Sequence, residues 1–134
     1  MAYYLKLYVI TLIAFLAIDM LWVGVVARGM YQKYLGYLMA PEINWFAAFA
    51  FYLLFILGLL VFVVEPGLKE KSLTTTHWRA ALFGLITYAT YDLTNQATVK
   101  DWPMLVTVID LIWGAFLCVI VCTISIFAGK WIIQ

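Results

Sequence analysis

Charged residues are scarce in this sequence. Only 11% of its 134 residues are Asp, Glu, Lys or Arg, whereas 67% are hydrophobic and the mean hydropathy is +1.03. Soluble domains carry about 25% charged residues, so this composition excludes a soluble protein and indicates an integral membrane protein. A spanning helix needs about 20 residues, so the chain has room for about four spans and for little else.

Basic runs and the common catalytic motifs are also missing. The net charge is only +1, which excludes the strongly basic surface that nucleic-acid binding needs. No HExxH, GxSxG, CxxC or glycine-rich phosphate loop occurs, and the single histidine, His77, lies in a polar linker where we expect it to be solvated. These absences predict no metal site and no cofactor.

The sequence has only two cysteines, Cys118 and Cys122. Their spacing of four places them on one face of a predicted helix, too far apart for good disulfide geometry. With Gly114 they form a stripe of small residues that lets another helix approach closely. Packing within the chain is the favoured interpretation of this stripe, and a homo-oligomer contact is the alternative.

Four long apolar segments are expected to be membrane-spanning helices. They cover about residues 4–26, 45–64, 78–97 and 104–128. The first runs past Asp19 without the cleavage site of a signal peptide, and the second is expected to stop at Pro66 and Gly67. Residues 29–44 mix aromatic and polar side chains, which is typical of an interfacial segment. The predicted fold is therefore all-α, a four-helix bundle forming one transmembrane domain over residues 1–134.

The basic residues favour one side of such a bundle. One side would hold Lys6, Lys69, Lys71, Arg79 and Lys130, and the other Arg28, Lys33 and Lys100. Cytoplasmic loops of membrane proteins are enriched in Lys and Arg. This distribution predicts that both termini lie in the cytoplasm.

Three aspartates interrupt the predicted spans: Asp19, Asp92 and Asp110. A carboxylate at this depth is costly, so it usually faces a polar interior and marks a ligand, ion or proton site. Counting along the helices at about 1.5 Å per residue puts all three near one level, in the outer half of the membrane. They cannot all stay ionised without compensation. Arg28 is one candidate charge partner, and a bound cation or donors of the site itself are the others.

Two of these aspartates share an Asp-x-x-Trp spacing, which places Trp22 and Trp113 one helical turn from their carboxylates. Because the first and last spans are antiparallel, the two faces can meet with pseudo-twofold symmetry, as inverted repeats do in transporters. The matching stretch is only about five residues long, so chance similarity between two apolar spans is the alternative.

The third predicted span carries a polar stripe, with polar side chains spaced three and four residues apart. Such a stripe is expected to pack inward, away from lipid. Interhelical hydrogen bonding alone is one interpretation, and a functional pocket is the one we favour. The predicted ligand or proton-site residues are Asp19, Trp22, Tyr88, Tyr91, Asp92, Asn95, Asp110 and Trp113.

Several strings in the chain resemble a known family. They are Asp19-Met20-Leu21-Trp22-Val23-Gly24, Tyr31-Gln32-Lys33, Tyr88-Ala89-Thr90-Tyr91-Asp92-Leu93-Thr94-Asn95 and Val108-Ile109-Asp110-Leu111-Ile112-Trp113-Gly114. Through them, nearly the whole chain resembles the prokaryotic membrane-protein family catalogued as domain of unknown function 2177. The resemblance implies a compact four-helix protein of the prokaryotic inner membrane, and it implies no particular activity.

Three functions fit these residues, with membrane lipid and a small-molecule ligand as the expected partners. The first is binding or processing of a lipid or a small amphipathic or cationic molecule, with carboxylates as anchors and aromatic rings as walls. The second is a small proton- or cation-coupled transporter, which requires water access to the aspartates from both faces of the membrane. The third is an assembly or accessory subunit, which requires a filled interior with Asp92 facing outward.

Overall fold

The computed structural model describes residues 2–133, and every regular element among them is helical. In chain order the helices are α1 (Ala2–Leu21), α2 (Arg28–Leu35), α3 (Trp45–Leu59), α4 (Glu65–Lys69), α5 (Leu73–Thr98) and α6 (Met104–Ile133). A π-helical turn, Trp22–Val26, continues α1, and a second one, Leu60–Val64, joins α3 to α4. These elements confirm the all-α prediction. Met1 and Gln134, which belong to the predicted domain, lie outside the described residues.

Three helical stretches of the described chain are long and apolar enough to cross a membrane: Ala2–Val26, Trp45–Lys69 and Met104–Ile132. The predicted third span corresponds to α5, which has 26 residues and a length of about 39 Å. It has the length of a span but not the apolarity of the other three, because threonine, tyrosine and other polar side chains run along it. The fold is thus a helical membrane protein in which α5 is the polar member of the bundle.

The second apolar stretch continues beyond its predicted stop at Pro66 and Gly67. Pro66 lies in the first turn of α4, and the helix runs on to Lys69. Proline breaks a helix from its interior, but in the first turn its missing N–H has no intrahelical bond to lose. The expected end near residue 64 was therefore wrong.

Side-chain caps set the starts of two long helices. Asn44 accepts a hydrogen bond from the backbone N–H of Ala47 (3.0 Å) where α3 begins. Ser72 does the same for Thr75 (3.4 Å) at the start of α5. Such caps satisfy backbone donors that lack a partner in the first helical turn, so both helices begin at defined positions.

The helices α5 and α6 are in close backbone contact. A Cβ added at Gly84 would overlap the carbonyl oxygen of Gly114 and lie 2.6 Å from its carbonyl carbon. Cys118 and Cys122, further along α6, are fully buried. The small-residue stripe therefore packs within the chain, as favoured above. Gly114, Cys118 and Cys122 are buried within one chain, and a homo-oligomer contact through them stays a prediction.

One half of the bundle is filled with apolar side chains. It is the half that contains the start of α1 and the end of α6, and Thr11 and Ser125 join these two helices by a buried hydrogen bond of 2.8 Å. The fully buried apolar residues of this core include Ile56, Leu59, Val63, Leu117 and Val121. His77 is not solvated as expected but half-buried, with its ring Nε2 2.9 Å from the Thr123 hydroxyl.

The segment between α1 and α3 folds over the opposite end of the bundle. It contains the eight-residue helix α2 within the segment predicted to be interfacial. Beyond α2, the hydroxyl of Tyr37 lies 3.4 Å from the Lys100 carbonyl oxygen and 3.1 Å from that of Asp101. These contacts tie the segment to the α5–α6 connection and hold it beside the predicted site.

Candidate functional site

A cavity of about 470 Å³ lies at this end of the bundle. It is enclosed by α1 with its π turn, the α2 segment, α3, α5 and α6. Its lining residues are Asp19, Trp22, Val23, Tyr31, Leu35, Met39, Phe51, Phe55, Thr87, Tyr88, Tyr91, Asp92, Asp110 and Trp113. The structure thus brings all three membrane aspartates, both tryptophans and both tyrosines of the prediction to one cavity, whose volume is typical of small-molecule sites.

Asp19 is held by two donors from other helices. The Tyr52 hydroxyl of α3 donates to Asp19 Oδ2 (3.1 Å), and the Trp113 indole N–H of α6 donates to Oδ1 (3.5 Å). The Asp19 side chain is buried. Hydrogen bonds from two helices stabilise a buried carboxylate, so Asp19 also links three elements of the bundle.

Asp110 is held by a chain of donors that begins on α1. The Tyr31 hydroxyl of α2 donates to Asp110 Oδ1 (2.6 Å), and the Trp22 indole N–H donates to the Tyr31 oxygen (3.2 Å). Burial, followed by the hydrogen bond to the Asp110 carboxylate, raises the pKa of Tyr31 above its usual range. The Tyr31 phenol therefore keeps its proton and remains a donor.

The two Asp-x-x-Trp motifs meet through their tryptophans. The Trp22 and Trp113 rings stack with centroids 4.3 Å apart and planes 8° from parallel. Trp113 donates to Asp19 of the other motif, and Trp22 reaches Asp110 of the other motif through Tyr31. This crossed arrangement is what a local pseudo-twofold axis predicts. The symmetry is limited, because Trp22 begins a π turn whereas Trp113 lies within regular helix.

Asp92 differs from the other two aspartates. It is 1% exposed, no protein donor among the described residues reaches either of its carboxylate oxygens, and its side chain lies beside the Asp110 carboxyl group. A buried charged group without partners costs several kcal/mol. Of the described residues that line the cavity, none is basic. Asp92 is therefore a buried carboxylate without a basic partner among the residues that line the cavity.

Two predicted site residues lie elsewhere. Arg28 is exposed on α2, and the one ion pair in the described part of the chain joins Lys69 to Glu65 (3.1 Å), so Arg28 does not compensate the aspartates. Asn95 is half-buried and does not line the cavity, because it lies almost one turn beyond Asp92, past the end of the cavity.

Several residues that line the cavity or contact its carboxylates escaped the list of predicted site residues. Tyr31 and Tyr52 both donate to site carboxylates, and the remaining walls come from Val23, Leu35, Met39, Phe51, Phe55 and Thr87. Tyr52 left a signal, since it is the one polar interruption of an otherwise apolar span. Tyr31 stood in a string shared with the family, but it was not predicted as a site residue, because the interfacial segment has many aromatic residues and its fold-back cannot be inferred from periodicity.

The cavity opens to the side of the bundle. Tyr91, which lines it, is 61% exposed, and Phe51 is 51% exposed. An adjoining groove of about 620 Å³ shares Phe51, Phe55 and Thr87 with the cavity. The rest of this α3–α5 groove is formed by Leu54, Leu57, Gly58, Val61, Phe62, Phe83 and Thr90. The cavity that contains the three carboxylates thus continues into an apolar surface groove.

This fold defines an integral, multi-pass membrane protein, since its long apolar helices alternate in direction around a buried acidic site. The chain belongs to the family described as predicted membrane protein (DUF2177), whose model matches residues 4–127. No curated protein and no solved structure matches the chain.

Replacing Tyr31 with phenylalanine is expected to destabilise the protein by about 2 kcal/mol, because Asp110 loses its short donor and hydrogen bonds to charged groups contribute about that much. Thermal unfolding in detergent measures the change. The matched control is Tyr34→Phe on the same helix, where the ring contacts Lys33 and no hydroxyl bond is recorded within the described chain. Equal unfolding temperatures for the two variants would contradict this role of Tyr31.

Proposed function

We propose that the protein binds or processes a lipid or a small amphipathic or cationic molecule, whose polar end lies among Asp19, Asp92 and Asp110. The observation that carries this proposal is the buried, unpartnered Asp92 carboxylate at the wall of a cavity that continues into an apolar groove. Proteins tolerate such a cost mainly at sites where a ligand supplies the missing partner.

The position of the groove favours a ligand that enters from the lipid phase. Leu54, Leu57 and Phe62 are all exposed along the groove, and they belong to a helical stretch that is apolar enough to span a membrane. Exposed apolar side chains on such a helix face acyl chains rather than water. An amphipathic ligand can therefore keep its apolar part in lipid while its polar end reaches the carboxylates.

Transport and assembly fit the same geometry less well. A transporter needs access from the second face, but the far half of the bundle is filled by Leu59, Val63 and Val121, all fully buried. An assembly subunit needs Asp92 to face outward, whereas it is 1% exposed and faces the cavity. We therefore place binding of an amphipathic molecule first.

Native mass spectrometry of the protein purified in mild detergent tests this proposal. The wild type is expected to retain an amphipathic molecule from the membrane, and Val23→Trp is expected to lose it, because Val23 lines the cavity at its exposed edge. Val25→Trp is the control, since Val25 lies in the same π turn and outside the cavity lining. Equal retention in both variants would overturn the proposal.

A further inference from the structure

We propose that the polar end of the ligand is an ammonium group with N–H donors, seated on Asp92, and that its tail is a single aliphatic chain lying in the α3–α5 groove. This inference rests on the proposed function and names its ligand class: a long-chain primary or secondary amine, or a lipid with such a head group.

The charge of the cavity favours a cation, because a bound cation lets a carboxylate stay ionised that otherwise has to take up a proton. Three carboxylates line it, and no basic side chain does within the described residues. Within the described chain, we find no cluster of three side chains from Asp, Glu, His and Cys that could hold a metal ion. A cavity of about 470 Å³ instead has the size of an organic ligand site. An organic cation therefore fits both the charge and the volume.

The hydrogen bonds indicate which kind of cation. Asp19 and Asp110 already accept bonds from protein donors, whereas no protein donor among the described residues reaches the oxygens of Asp92, whose neighbour is the Asp110 carboxyl group. A primary ammonium has three N–H groups and forms strong, charge-assisted hydrogen bonds to a carboxylate. A quaternary ammonium has none, so it would leave the Asp92 oxygens unpaired. Aromatic walls such as Tyr88 and Trp113 add cation–π attraction for either type.

The dimensions of the groove indicate the tail. From Phe51 to Phe62, the groove follows α3 and its π turn for about 16 Å at 1.5 Å per residue. One leaflet of a bilayer core is about 15 Å thick. Gly58 forms part of the floor, and even a Cβ there would lie 3.4 Å from the Phe83 ring. The glycine therefore keeps the groove open for one chain of leaflet length.

A competition experiment tests the head group. The full-length protein in a neutral maltoside detergent is offered equal amounts of dodecylamine, dodecyltrimethylammonium, dodecanol and dodecyl phosphate, and native mass spectrometry identifies the bound probe. We expect dodecylamine to exceed dodecyltrimethylammonium by roughly tenfold or more, the usual effect of a charge-assisted hydrogen bond. Dodecanol and dodecyl phosphate are expected to bind least.

The Asp92→Asn variant is expected to lose the preference for dodecylamine. Asp101→Asn is the matched control, because Asp101 is exposed outside the cavity and has a positive φ of 57° that asparagine adopts readily.

Equal binding of dodecylamine and dodecyltrimethylammonium to the wild type would overturn the seating of the head group on Asp92. Equal binding of dodecyl phosphate would overturn the cationic head group and leave amphiphile binding intact. No binding of any probe, together with no retained membrane lipid, would overturn the proposed function as well.

A chain-length series tests the tail. Affinity for primary amines is expected to rise with chain length in the wild type, and Gly58→Phe, which fills the groove, is expected to abolish the rise while short amines bind as before. Binding of short amines shows that this variant is folded. Gly24→Phe is the control, since nothing lies within 4 Å of a Cβ at Gly24 and it lines neither the cavity nor the groove. An unchanged length dependence in Gly58→Phe would overturn the placement of the tail.

Discussion

Gly84→Ala is expected to destabilise the protein by about 3 kcal/mol, the upper end of the cost of overpacking a well-packed interior. The new methyl group would overlap the Gly114 carbonyl oxygen and lie 3.0 Å from the Ala115 Cα. Both obstacles are backbone atoms of α6, so no side-chain rotation relieves the overlap. The helices α5 and α6 must therefore separate. Thermal unfolding in detergent, followed by circular dichroism, measures the loss.

The control for this variant is Gly24→Ala. Nothing lies within 4 Å of a Cβ at Gly24, so its unfolding free energy is expected to stay within about 0.5 kcal/mol of wild type. Gly114→Ala is expected to cost a similar amount, because the added methyl group would overlap the Tyr88 ring and lie 2.9 Å from the Tyr88 Cβ, which no side-chain rotation moves. Equal stabilities for Gly84→Ala and Gly24→Ala would contradict the close backbone contact of α5 and α6.

The same contact sets the spacing of the acidic site. Asp92 lies about 12 Å along α5 from Gly84, and Asp110 lies one turn before Gly114 on α6. A separation of the two helices at the glycines therefore moves these two carboxylates apart. Gly84→Ala is expected to weaken ligand binding in addition to stability, although Gly84 does not line the cavity.

The common level of the three aspartates along the bundle could be predicted from the sequence, because such a level is a count along a helix. Asp19, Asp92 and Asp110 were placed at one level from a fixed rise per residue, and all three line one cavity. The tryptophans followed from repeated spacing in the same way. Features that depend only on distance along a helix are local properties of the chain.

Helix order and helix rotation were not accessible from spacing, because they depend on side-chain packing between distant segments. Tyr52 reaches Asp19 only because α3 packs beside α1, and Tyr31 reaches Asp110 only because α2 folds back. Asn95 shares a helical stripe with Asp92 but lies beyond the cavity. The spacing of polar residues predicts which face of a helix points inward. Tertiary packing determines how far along that face the site extends.

The sign of a stability change separates a functional carboxylate from a structural one. Asp92→Asn is expected to stabilise the ligand-free protein by about 2 kcal/mol, because it removes a buried charge that has no hydrogen-bond partner in the described chain. Asp19→Asn is expected to destabilise it by about 1–2 kcal/mol, because Tyr52 and Trp113 donate to that carboxylate. Unfolding of the two variants near neutral pH in the same detergent measures both changes.

If the aspartates served only as hydrogen bonds between helices, both substitutions would lower stability, since each would replace a carboxylate oxygen with an amide NH2 group that cannot accept a hydrogen bond. A fall in the stability of Asp92→Asn would therefore contradict a ligand-binding role for Asp92. A rise, combined with loss of amine binding, is the pattern of a residue that lowers stability in order to bind a ligand. Because Asn has nearly the shape of Asp, packing stays constant in this comparison and the difference reports on the charge.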